Sequence, residues 1–135
     1  MTRRAVLALA IAAFGLASLL SGCRSDSAPN VDVSIVGKWK LVESSGGITG
    51  GGQIPLPDMT VEFTTEGAMM RYENDEVTYS IPYSIGMDKT VFSLDPAPVI
   101  YLNDEPFYAY SFPDEDTLVL SENGCDGFSD EYQRI

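Results

Sequence analysis

Between Val36 and Ile135 the apolar residues never hold a 3.6-residue period long enough for a packed helix; short alternating stretches, each stopped by turn residues, fill the chain instead. Met59, Val61 and Phe63 alternate with Thr60, Glu62 and Thr64, and Tyr79, Ile81, Tyr83 and Ile85 share one face of a later stretch. The stretches that read as strands are 36–43, 59–65, 68–73, 77–85, 90–94, 99–102, 107–112, 117–121 and 128–135. Turn chemistry marks Asn74-Asp75, Gly86-Met87-Asp88-Lys89, Asn103-Asp104-Glu105-Pro106 and Asn123-Gly124-Cys125-Asp126-Gly127. Pro82, inside a strand, argues for an edge or a bulge.

Eight or nine short strands on short connections make an antiparallel meander, which either leaves two edges open or closes on itself. Closure removes unpaired edges, and about eight strands enclose room for packed side chains or one small ligand. The expected fold is all-β, a small up-and-down antiparallel β-barrel over residues 35–135, with an open sheet or small sandwich as the alternative.

The chain ahead of that domain carries an address. Arg3 and Arg4 precede an apolar run from Ala5 to Leu20, the length of a signal-peptide core and short for a membrane span. Leu20-Ser21-Gly22-Cys23 resembles the bacterial lipobox, in which a leucine and two small residues precede the cysteine that takes the diacylglycerol. The resemblance implies a lipoprotein signal peptide over 1–22, cleavage before Cys23 and lipid, palmitate included, on Cys23. Residues 23–34 then form a lipidated tether. Several acyl chains make such an anchor effectively permanent, where one chain holds only weakly. The expected location is the bacterial cell envelope with the domain outside the cytoplasm, the outer membrane being favoured because Arg24 and Ser25, not aspartate, follow the cysteine.

Loss of residues 1–22 would leave six basic residues against twenty acidic ones, a charge of −14. That surface repels phosphate backbones, so nucleic acid is not an expected partner; acidity serves solubility or draws a cationic protein. The sequence has no histidine, which excludes Ser-His-Asp and Cys-His catalysis and histidine metal sites. The acidic runs Asn74-Asp75-Glu76 and Asp114-Glu115-Asp116, with Asp126 and Asp130, lack the alternating ligand spacing of a calcium loop and read as solvated turns. No catalytic residue, metal or cofactor is assigned, and a monomer is expected. With Cys23 committed to lipid, Cys125 is left alone; burial as a small apolar side chain is the expectation, an intermolecular disulfide the alternative.

Gly37-Lys38-Trp39 at the first strand matches the G-x-W with which lipocalins open their barrel, and the chain resembles the bacterial lipocalin-like lipoproteins over 35–135. The resemblance implies that Trp39 lies across the barrel floor and that Arg134, from the last strand, packs on it. It also gives the loop Gly46 to Gly52 the position of a lid over the mouth, though the domain is short for the family and any calyx shallow. Tyrosines facing into a small barrel give apolar walls with a few hydroxyls, the make-up of a small-molecule site. The expected ligand set is Trp39, Met70, Tyr72, Tyr79, Tyr83, Tyr108 and Tyr110, holding a small apolar or amphipathic molecule; core packing accounts for the same tyrosines. The alternative is an acidic protein-binding lipoprotein with a filled core, of the lysozyme-inhibitor type.

Overall fold

Two hairpins have the same two-residue turn: Asn74-Asp75 and Asn103-Asp104 all take positive φ, between 51° and 65°. Such turns match the twist of the strands they join, and Asn and Asp tolerate that backbone better than other side chains. The computed structural model describes residues 33–47 and 55–135. The expected signal peptide over 1–22, Cys23, all of the expected tether before Val33 and the centre of the glycine-rich loop lie outside the described residues.

The described chain forms β1 (Gly37–Gly46), β2 (Met59–Phe63), β3 (Ala68–Glu73), β4 (Glu76–Thr90), β5 (Ser93–Leu102), β6 (Glu105–Asp114), β7 (Thr117–Glu122) and β8 (Phe128–Arg134). Each strand pairs antiparallel with the next, and β8 returns to β1 through Trp39 opposite Arg134 and Leu41 opposite Tyr132, closing the barrel. Inward alternation collects Trp39, Leu41, Met59, Val61, Phe63, Met69, Ile100, Leu102, Leu118, Leu120 and Tyr132 into one buried core. Full burial of each large apolar side chain contributes about 1.5–3 kcal/mol, so this cluster supplies the main driving force for closure.

Eight strands stand where the sequence allowed a ninth. The turn expected at Gly86-Met87-Asp88-Lys89 is absent: β4 continues to Thr90, the expected strand 90–94 holds the Val91-Phe92 turn, and Pro96 and Pro98 sit inside β5. The reason is pairing. β5 meets β6 only from Val99 onward, so residues 93–98 have β4 on one side and no strand on the other, an edge where a missing proline N–H costs no ladder bond. Pro82 follows the same rule, because β4 leaves β3 at that residue and joins β5 from Tyr83.

The β4–β5 extension does not project straight into solvent. Val91 N–H donates to Asn123 Oδ1 at 2.8 Å, and Asn123 Nδ2 donates to Pro106 O at 3.0 Å, so the turn is tied back to the barrel wall. Val99 lies on that outer wall, between Gly86 and Ala109, and the covering leaves it no accessible surface. Gly86 is required at the bend, since a Cβ there would stand 2.9 Å from the Tyr101 ring.

Candidate functional site

An up-and-down barrel of eight strands has two unlike ends. The β2–β3 and β6–β7 connections, the root of the β4–β5 extension and both flanks of the sheet, Val33 to Val36 and Ile135, gather at one end; the β3–β4, β5–β6 and β7–β8 connections, the end of β1 and the start of β2 gather at the other, which the folded-back β4–β5 turn reaches through Val91.

The first end is shut. Trp39 is fully buried there, its Nε1 donating to Ile35 O at 2.8 Å, and Arg134 lies over the indole with Cζ 4.0 Å from the ring centroid. The guanidinium also donates to Ser34 O at 3.0 Å and to Val36 O at 3.3 Å, which pins the incoming segment under the barrel. Phe112 meets Trp39 at 5.8 Å between centroids, and Tyr110 meets Phe112 at 5.8 Å. Phe63 and Tyr83 pack edge to face at 5.0 Å, and the Tyr83 hydroxyl donates to Thr64 O. A cleft of about 450 Å³ remains beside this floor, lined by Val33 to Val36, Tyr83, Ile85 and Tyr110.

At the opposite end Met69, Arg71, Tyr79, Leu102, Phe107, Tyr108 and Glu122 line a cleft of about 240 Å³. Arg71 pairs across the sheet with Tyr79, and Tyr108 with Glu122, so adjacent hairpins present an arginine and a glutamate to one space. The ion pairs among the described residues are Lys38 with Glu62 and Lys40 with Asp58; Arg71 therefore has no described carboxylate within 4 Å. Asp130, opposite Leu120, faces the core side of the same end. Its Oδ2 accepts from Tyr132 at 3.4 Å, while Oδ1 is buried with no hydrogen-bond donor. An unpaired buried acceptor costs about 1–3 kcal/mol, a debt that a donor from outside the chain would remove. Burial pushes the Tyr108 hydroxyl up to about 12, with Arg71 acting against the rise and Glu122 and Asp130 with it. Burial likewise raises Tyr132, helped by Asp130. Both phenols therefore keep their protons at physiological pH, and Tyr132 donates its own to Asp130.

The residues expected to form one ligand set are divided four ways. Tyr79 and Tyr108 line the mouth cleft, Tyr83 and Tyr110 the floor cleft, and Trp39 is core beneath Arg134. Met70 and Tyr72, expected inside, stand on the outer face: they pair with Glu62 and Thr60, and the Tyr72 hydroxyl donates to Glu62 at 2.6 Å under Lys38. The parity of β3 decides this. Met69 and Met70 are equally apolar, and Tyr72 suited the interior better than Arg71, yet Met69 pairs with Ile81 and Arg71 with Tyr79 on the inner face. Arg71, Glu122 and Asp130 were thus missed, and their inward positions on β3, β7 and β8 were the signal. Phe107, next to Tyr108 in sequence, also lines the mouth, because the register shift between Ile100 and Tyr101 falls opposite it, and its ring meets Tyr108 at 4.7 Å.

Cys125 is exposed, not buried, because it stands within the turn whose two ends, Asn123 and Gly127, bond to the barrel while its middle does not. Among the described residues no three Asp, Glu or Cys side chains converge as a metal site. No family model, curated protein or solved structure matches this chain.

Proposed function

We propose that this chain is an exported, lipocalin-like bacterial lipoprotein, held to a membrane by lipid on Cys23, that binds a small amphipathic molecule at the mouth of its barrel. The carrying observation is the pairing of unmet polar groups with aromatic walls. Arg71 offers the cleft a guanidinium without a described carboxylate within 4 Å, Tyr79, Phe107 and Tyr108 supply its aromatic walls, and Asp130, on the core side of the same end, keeps a buried oxygen without a donor. An apolar pocket with a few placed polar groups is the general form of a small-molecule site. The closed floor and filled core limit the ligand to the mouth, so the bound body is of the size of two or three rings.

Anilinonaphthalene sulfonate, an apolar fluorophore with one sulfonate, tests this. Binding near micromolar, about −8 kcal/mol, is expected. Arg71→Gln should weaken it by about tenfold with the barrel intact, as judged by circular dichroism. No binding, or binding that Arg71→Gln leaves unchanged, overturns the mouth as the site.

A second reading has its own observation: a filled core with the exposed run Asp114-Glu115-Asp116 suits an acidic protein that captures a cationic one. Lysozyme titrated at 0.1 M and 1 M salt separates the two, since the Debye length falls from about 10 Å to about 3 Å and only the protein complex is lost.

A further inference from the structure

The outer surface carries one apolar region that the barrel does not need. Along β4 the inward alternation of Tyr83 runs on beyond the core: Ile85, opposite the buried Ile100, and Met87, opposite Pro98, are exposed. Met87 is 62 % exposed and Leu94 94 % exposed, and Ile85, Val91, Phe92, Pro96 and Pro98 are exposed with them. Isolated exposed apolar side chains are ordinary, but a contiguous group on one arm marks an interaction surface.

The chemistry of the arm narrows what covers it. Its free edge, residues 93–98, contains Pro96 and Pro98, which have no N–H to offer, so a second strand adds poorly there and backbone pairing between copies is blocked. Recognition must use the side-chain face. Of the arm's three charges, Asp88 is turned toward the wall, where its carboxylate accepts from the Tyr101 hydroxyl at 2.9 Å. Lys89 follows Ile85 and Met87 at the next alternate position and is exposed; Asp95 lies beside Leu94 in the irregular stretch opposite. In a chain with twenty acidic residues, the alternation of Ile85, Met87 and Lys89 thus combines apolar side chains with a cation, the pairing that enters a lipid interface while the ammonium stays with the phosphates.

Position supplies the occupant. The root of the arm and the entry of the chain into the barrel are the same place, because Ile85 and Val33 line one cleft. Val33 is ten residues from Cys23, which limits the reach between them to about 35 Å. We propose that the β4–β5 arm is a second membrane contact, in which Ile85, Met87, Phe92 and Leu94 rest in the interface of the bilayer that holds Cys23. The proposal rests on the reading of Cys23 as a lipid anchor. The anchor keeps the domain at the surface and the arm orients it.

The test uses the full-length chain with Leu94→Trp, made in a bacterial host with labelled palmitate and reconstituted into phosphatidylcholine vesicles with or without acyl-chain bromine. The parent, whose sole tryptophan is the buried Trp39, sets the background. Bromine is expected to quench the Leu94→Trp protein at least twofold more than the parent, with emission shifted to the blue and the result unchanged on dilution. Palmitate-labelled, vesicle-bound protein whose added tryptophan is not quenched overturns the arm contact while leaving the anchor. A blue shift that follows protein concentration, not bromine, assigns the face to a second copy and also overturns it. Absence of palmitate from Cys23, with the same label missing in Cys23→Ser, overturns the anchor and this proposal together.

Discussion

Arg134→Ala should be among the most damaging changes outside the core, although the residue is next to last in the chain. Its guanidinium stands 4.0 Å from the Trp39 centroid, a contact that contributes about 0.5–2 kcal/mol. Its hydrogen bonds to Ser34 O, Val36 O and Glu115 O are charge-assisted, each about 1.5–3 kcal/mol when shielded, and the exposed bonds to Ser34 and Glu115 should be discounted below the lower figure. The full set sums above what truncation would cost, because water reaches the freed carbonyls and the incoming segment relaxes. About 2–4 kcal/mol is the expected loss, a fall in Tm of about 10–25 °C for a domain near 100 residues. Urea denaturation followed by Trp39 fluorescence measures it. Arg134→Lys should retain part of the cation–π contact but not the two-pronged hydrogen bonding, and so recover less than half. A double-mutant cycle with Trp39→Phe should give a coupling of about 0.5–2 kcal/mol. A loss under about 0.5 kcal/mol for Arg134→Ala would refute the view that this pair closes the barrel floor.

Three further outcomes follow from the packing. Tyr108 has its folded value raised to about 12 from 10, so the folded state keeps the proton that the unfolded state loses. Its share of stability is complete below about pH 10 and lost as pH climbs to about 12, roughly 2–3 kcal/mol in all; denaturant midpoints against pH should show this fall, shallower in Tyr108→Phe. Val99→Ala should cost about 1–3 kcal/mol in urea, the cost of a core position, because the arm covers it; a change within about 0.5 kcal/mol would mean the arm is not docked. Gly127→Ala would place a Cβ 2.6 Å from Glu122 Cβ and 2.8 Å from Glu122 O, so about 1–3 kcal/mol of destabilisation is expected at the β7–β8 turn, read from the same urea midpoints.

Period-2 alternation determined the class of this fold, and turn chemistry its connections other than the β4–β5 turn. Asn74-Asp75 and Asn103-Asp104 could be placed because few side chains accept a left-handed backbone, and a meander of that many strands has one economical way to lose its edges. Trp39 near the start and Arg134 near the end were legible as partners only through the resemblance; that they touch follows from closure, which sets β8 against β1. Tertiary structure decided the rest. The face of β3 depended on whether Arg71 or Tyr72 turned inward, and side-chain apolarity favours the wrong answer when the interior ends in a polar mouth. Pro96 and Pro98 read as breaks because a central strand cannot hold them, and only the end of pairing at Val99 shows that β5 is an edge there. The mouth site joins residues from β3, β4, β5, β6 and β7, none closer in sequence to the next strand's contribution than its hairpin allows. Such a site depends on register between strands, a non-local quantity that no single stretch of sequence encodes.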